Sequence, residues 1–330
     1  EKLGFVNNGI LVPGYSRGLS LNNGGCVAHS ARFRNISQVQ HRCIQMKSET
    51  PGDLLVFGAG TLGTLAGRLW KQKYPDSNVK AVTKTNNRHS DLKDVGLDPD
   101  TLDNFYPPKT LYSYVLMCAS PAGNENYVGE VERALECWNG SNGCFVFTSS
   151  TGVYPLQNGD DVAAPMDEKS ITRSIDEPRA QKLLLAEKSV LKVGGNVIRL
   201  AGLYSRERGA HKIWLRDRKS SGGADGLINL IHYRDSARIA IAALESEQTS
   251  KIWIGTDGQP RTRKEINDIA MKLPEYSEVP IEVQYGDLSS ESEKSRRFVN
   301  YVTCSELNWK PQFASFEEGV IVPEDAPLTL

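Results

Sequence analysis

From residue 51 onward, short apolar runs alternate with segments of helical spacing. Leu54–Phe57 is an unbroken apolar run, the mark of a strand buried on both faces, and helix-like spacing follows over 61–70. Val79–Thr83 reads as a second strand, and residues 84–108 read as loop and turn material. Further strands are expected over 112–118, 143–148 and 197–200. Between them, 126–138 has helical spacing with Val128, Val131 and Leu135 on one face. Strands alternating with helices predict an α/β fold: a doubly wound parallel sheet whose right-handed crossovers put helices on both faces.

The last third changes character. Asp235 is placed to cap a helix running through Arg238 to Leu244, and three S/T-x-x-E boxes follow: Thr262 with Glu265, Thr303 with Glu306, Ser315 with Glu318. Short helices with few strands predict a smaller C-terminal lobe beside the sheet, where a substrate is selected. Residues 1–48 show no sustained period and are rich in Ser, Asn, Gly and Arg, the composition of an organelle transit peptide. The expected organisation is a transit-peptide-like segment over 1–48, a nucleotide-binding domain over 49–200, and a lobe over 201–330 that partly completes that domain.

Composition narrows the function classes. The chain of 330 residues is 39% hydrophobic and 24% charged, and no apolar run approaches the roughly 20 residues a membrane helix needs. The net charge of −1 hides an asymmetry, because residues 1–48 hold six basic residues and one acid. The remainder carries 33 basic and 39 acidic residues, a net of −6, which gives no general attraction to nucleic acid. The six cysteines form no C-x-x-C pair, and no two of the five histidines stand at ligand spacing, so no metal site is expected.

The candidate chemistry lies at 53–63, DLLVFGAGTLG. Gly58, Gly60 and Gly63 have G-x-G-x-x-G spacing between a strand and a helix, the context a dinucleotide site requires. Gly58 allows the tight turn, Gly60 lets a pyrophosphate approach the backbone, and Gly63 lets the helix pack on the strand. Thr61 and Leu62 open that helix and present its free N–H groups. About 20 residues on, where a ribose-binding acid marks NAD, the chain reads VTKTNNRH. Thr83, Lys84, Thr85 and Arg88 suit a 2′-phosphate, so NADP is expected over NAD. Ala119 and Ser120, in the turn after the third strand, and Thr148, at the end of the fourth, complete the expected cofactor-binding set.

Together these stretches resemble the extended short-chain dehydrogenase/reductase superfamily, whose domain is of Rossmann type. Beyond the glycine loop, FTSSTGVYP (147–155) is similar to the family's central strand with its active-site serine, here Ser150. RLAGLYS (199–205) is similar to the strand that delivers the substrate lobe, and NWKPQFASFEEGV (308–320) to the closing helix. NLIHYRDSARIAIAALE (229–245) is similar to a segment whose His and Asp order the chain below the site. Within the superfamily the likeness is to atypical members of the YeeZ-like kind, including plant plastid proteins. The resemblance implies that Ser150 hydrogen-bonds a substrate carbonyl. It also exposes a departure: aligned on Ala186-Glu187, the family's Tyr-x-x-x-Lys pair falls on Arg179 and Leu183. Arginine stays protonated and cannot trade a proton with a substrate, and leucine cannot hold a ribose. Tyr154 and Tyr204 are read as packing residues.

Two functions follow. One is an NADP-dependent oxidoreductase or epimerase acting on an unknown small molecule without the usual proton donor. The other is a non-catalytic NADP(H)-sensing or regulatory protein. RNA binding sits poorly with the acidic body. The expected destination is the chloroplast stroma, with mitochondrion or cytoplasm as alternatives, and the oligomeric state is not legible.

Overall fold

The computed structural model describes residues 52–157, 164–220, 222–276, 281–286 and 295–329. The transit-like segment 1–48 lies outside the described residues, as do Cys26 and Cys43 within it. Seven parallel strands form the central sheet: β1 (Leu54–Phe57), β2 (Val79–Thr83), β3 (Asp98–Thr101), β4 (Tyr114–Met117), β5 (Cys144–Ser150), β6 (Asn196–Leu200) and β11 (Ile252–Gly255). Their order is β11-β6-β5-β4-β1-β2-β3, so the winding reverses between β1 and β4. Such a reversal opens a crevice at the carboxyl ends of the strands.

The unbroken apolar run of β1 is explained by the layers on either side. Leu54 and Val56 pack against Ala66, Leu69 and Trp70 of α1 (Thr61–Lys73) and Ala240 of α7 (Tyr233–Glu245). Leu55 and Phe57 alternate to the other face, against Val131 and Ala134 of α4 (Tyr127–Glu136) and Ala186 and Val190 of α5 (Pro178–Lys192). A strand covered on both sides has no polar face to show.

Several details differ from the sequence reading. Residues 84–108 are not only loop: they contain α2 (His89–Asp94), β3 and α3 (Leu102–Phe105). β3 reads DPDT and lies at the sheet edge, where its proline interrupts no second ladder and its two acids pair with Lys80 of β2. The face that α4 buries is Tyr127, Glu130, Val131 and Ala134, with Val128 and Leu135 only half-buried. In the last third β11 joins the main sheet beside β6, while three small two-stranded sheets carry the lobe. Those pair β7 (Gly202–Tyr204) with β10 (Leu230–His232), β9 (Leu227–Ile228) with β12 (Arg261–Thr262), and β8 (Lys219–Ser220) with β13 (Gln284–Tyr285).

Of the three capping boxes, only Thr262–Glu265 closes, at the start of α8 (Arg263–Ala270). Thr303 instead lies inside α9 (Tyr301–Glu306), where its hydroxyl accepts the Ile254 N–H of β11 at 2.9 Å, and Glu306 pairs with Lys251. Ser315 caps α10 (Phe316–Val320), but Glu318 turns to the amide of Ala314 rather than to that of Ser315. Asp235 is not a cap either. His232 caps α7, while Asp235, fully buried, accepts the N–H groups of Gln312 (2.7 Å) and Phe313 (3.0 Å). For Thr303 and Asp235 the tertiary partners win because a backbone amide taken out of water needs an acceptor more than an exposed helix end does.

Candidate functional site

A cleft of about 750 Å³ opens at the carboxyl ends of β1, β2, β4, β5 and β6. Its floor is the β1–α1 turn. Gly58 has φ +96°, and a Cβ there would stand 2.3 Å from the Ala119 nitrogen, so no other residue fits. A Cβ on Gly63 would stand 2.8 Å from Val56 and 2.9 Å from the Cys118 sulfur, which seats α1 directly on the sheet. Gly60 differs: a Cβ there meets nothing within 4 Å, because that side of the glycine faces the cleft. α1 starts at Thr61 with no side-chain cap and no acid in its first turn. Its first amides, including those of Thr61, Leu62 and Gly63, therefore offer a positive dipole end without a protein counter-charge.

Every cofactor-binding residue named from the sequence lines this cleft. Gly58, Gly60, Thr61, Leu62 and Gly63 form its floor, and Thr83, Lys84, Thr85 and Arg88 form one wall at the end of β2. Ala119 and Ser120 follow β4, and Thr148 and Ser150 end β5. The Thr83 hydroxyl donates to the Thr85 carbonyl (2.8 Å) and so shapes the loop, while Lys84, Thr85 and Arg88 are exposed. Ser150 Oγ accepts the Gly152 N–H at 3.0 Å, which leaves its proton to donate into the cleft. The Cys118 thiol donates to the Gly58 carbonyl at 3.1 Å, and burial pushes it up to about 12, so it is no thiolate nucleophile.

Below the cleft runs a buried polar chain. Ser149 donates to Glu187 at 2.5 Å, Glu187 pairs with Arg199 of β6 at 2.7 Å, and Arg199 donates to the Tyr154 hydroxyl at 2.7 Å. This chain occupies Tyr154, which is fully buried against Phe298 and whose phenol burial pushes up. Tyr204 is likewise buried and donates to the Ser315 carbonyl at 3.0 Å. Neither phenol reaches the cleft lining. Arg179 of α5 is exposed outside the lining, and Leu183 is half-buried against the core.

The sequence reading missed Arg208 and Tyr233, which line the cleft with Gly202 and Leu203. No motif marks them. They arrive because β7 and β10 pair in parallel, with His232 beside Tyr204, so the segments after both strands leave at the same end.

No protein-family model and no curated protein matches this sequence. Similar solved structures include a conserved protein of unknown function from Silicibacter pomeroyi, 18% identical with a TM-score of 0.65, over 82% of this chain and 97% of that one. UDP-glucose 4-epimerase from Thermotoga maritima, with UDP-glucose, is 15% identical with a TM-score of 0.64, over 82% and 96%. dTDP-glucose 4,6-dehydratase from Bacillus anthracis, in complex with NAD, is 13% identical with a TM-score of 0.67, over 82% and 94%. The chain has the Rossmann fold. Likeness at this level of identity establishes the fold alone, and the glycine turn sits where the winding reverses between β1 and β4.

Proposed function

We propose that this protein binds NADP(H) in the cleft, in preference to NAD(H), and belongs among the atypical extended short-chain dehydrogenase/reductases of the YeeZ-like kind. The observation that carries the reading is the end of β2, where Lys84, Thr85 and Arg88 are exposed on the cleft wall. The first acid after that strand is Asp91, whose carboxylate stands 3.9 Å from Arg88 and is itself exposed. Two cations and a hydroxyl favour a 2′-phosphate, and the carboxylate that would grip an unmodified ribose at the strand end is missing. The open side of Gly60 and the uncapped α1 suit a pyrophosphate.

When bound, the nicotinamide would supply or accept a hydride. Ser150 would then orient a substrate oxygen, and α5 offers no phenol–ammonium pair to move the proton. The protein is an oxidoreductase or epimerase for a specialised small molecule, slow on generic ketones and aldehydes. The exposed position of Arg179 and the packed one of Leu183 also favour a second reading, a non-catalytic NADP(H) sensor. Fluorescence titration with NADPH and NADH tests the cofactor: tighter NADPH binding is expected, and it should vanish in Lys84→Ala/Arg88→Ala. Equal or tighter NADH binding by the unaltered chain would sink the proposal. NADPH oxidation over a carbonyl panel separates enzyme from sensor. The plastid destination rests on the composition of residues 1–48, and import of the precursor into isolated chloroplasts tests it.

A further inference from the structure

At the end of the cleft opposite Lys84 and Arg88, one cation stands without a counter-charge among the described residues. Arg208 lies in the loop between β7 and α6 (Ala210–Asp217), exposed on the cleft wall. The charges around it are satisfied: Arg206 pairs with Glu275 at 2.8 Å, Lys212 with Glu207 at 3.3 Å, and Arg216 with Asp217 at 2.7 Å. Among the described residues Arg208 has no acidic partner.

The loop that presents Arg208 is built rather than slack. The Ser205 N–H donates to the Arg208 carbonyl at 2.8 Å, and the Ser205 hydroxyl donates to Glu324. Gly209 takes φ +136°, and a Cβ there would stand 2.9 Å from the His211 ring. Beside this loop, Tyr233 opens α7 half-buried in the cleft wall, and no hydrogen bond of its hydroxyl exists among the described residues. Among the described residues it is the only tyrosine lining the cleft. Ser150 completes the end: it closes β5 opposite Leu200 of β6, from which Ala201 and Gly202 lead into β7.

The geometry points to this end as an oxyanion-recognition site, so that the substrate is a small organic anion whose carboxylate or phosphate meets Arg208 and Tyr233. This deepens the cofactor reading and rests on it for placing the substrate. Four strand spacings separate β2 from β6 in the sheet, about 19 Å at about 4.8 Å each, so Arg208 and the Lys84–Arg88 wall serve different anionic groups. A planar guanidinium binds a carboxylate or phosphate through two parallel hydrogen bonds, and a phenol adds a third donor.

The test is calorimetric titration of the NADP⁺-loaded protein, at fixed ionic strength, with oxalate, inorganic phosphate and neutral glycerol as probes. Oxalate or phosphate should bind and glycerol should not, and the preferred probe identifies the anion as carboxylate or phosphate. Arg208→Ala should weaken that binding at least tenfold, Arg208→Lys less, and Tyr233→Phe about threefold, with melting temperatures unchanged. NADPH affinity should be the same in all three variants. If neither anion binds, or if Arg208→Ala leaves anion binding intact, the proposal is overturned. It is equally overturned if Arg208→Ala weakens NADPH instead, which assigns the arginine to the cofactor. Repeating the anion titration without cofactor, and on Lys84→Ala/Arg88→Ala, keeps this test separate from failure of the NADP assignment.

Discussion

Arg199 and Glu187 meet 2.7 Å apart beneath the cleft, the first 4% exposed and the second 2%. Glu187 sits on α5 and Arg199 on β6, so their contact ties helix to sheet directly under Ser149 and Tyr154. Breaking a buried pair strands the remaining charge. Arg199→Met should therefore cost about 3–5 kcal/mol in urea unfolding. The double variant Arg199→Met/Glu187→Leu should recover most of that loss, because neither charge is then left alone. Tyr154→Phe should cost about 1.5–3 kcal/mol, the worth of one hydrogen bond to a charged group.

The three glycines of the turn should separate stability from binding. Gly58→Ala forces a Cβ into the Ala119 backbone at positive φ and should lower the melting temperature markedly. Gly60→Ala meets open space at φ −75°, so the melting temperature should hold while NADPH affinity falls. Thermal melts with and without NADPH check both.

Asp257 should give the protein an unusual pH dependence. Its carboxyl is buried in the loop after β11, with one oxygen accepting the Gln259 N–H at 2.9 Å and the other without a partner. Burial pushes it up to about 7, from 3.8 when unfolded. The folded state then holds a proton that the unfolded state has lost, so this group lowers stability as pH rises from about 4 to about 7. His211 and His232, kept neutral by burial, act in the opposite sense as pH falls, so the difference between chains isolates the carboxyl. Asp257→Asn should match the unaltered chain near pH 4 and exceed it in stability above pH 7, by urea unfolding at both.

Arg234 should hold the C-terminal tail. Its guanidinium donates to the carbonyls of Pro323 (3.0 Å), Glu324 (3.2 Å), Ala326 (2.7 Å) and Pro327 (3.0 Å). Arg234→Ala should lower stability by at least about 1.5–3 kcal/mol, the worth of one charged hydrogen bond. The tail should also become sensitive to carboxypeptidase, read by mass spectrometry. Arg234→Lys should rescue only part, since a single ammonium nitrogen cannot replace the two guanidinium nitrogens that reach the four carbonyls.

The central sheet was legible because its strands announce themselves locally. Leu54–Phe57 and Val79–Thr83 are apolar wherever both faces are covered, and G-x-G-x-x-G carries its own backbone requirement at Gly58 and Gly63. The cleft lining from Gly58 to Arg88 followed, since those residues are consecutive with the strands that deliver them. What the chain alone did not decide are the partners set across long separations. Asp235 looks like a cap until Gln312 and Phe313 claim it, and Thr303 looks like a cap until Ile254 does. β3 is invisible because an edge strand of acids and a proline needs no apolar pattern. Arg208 and Tyr233 reach the cleft only through the pairing of β7 with β10, two strands of three residues each. Local propensity is a property of a few neighbouring residues, whereas those contacts exist only once burial has brought distant backbone groups together and made each one find a partner.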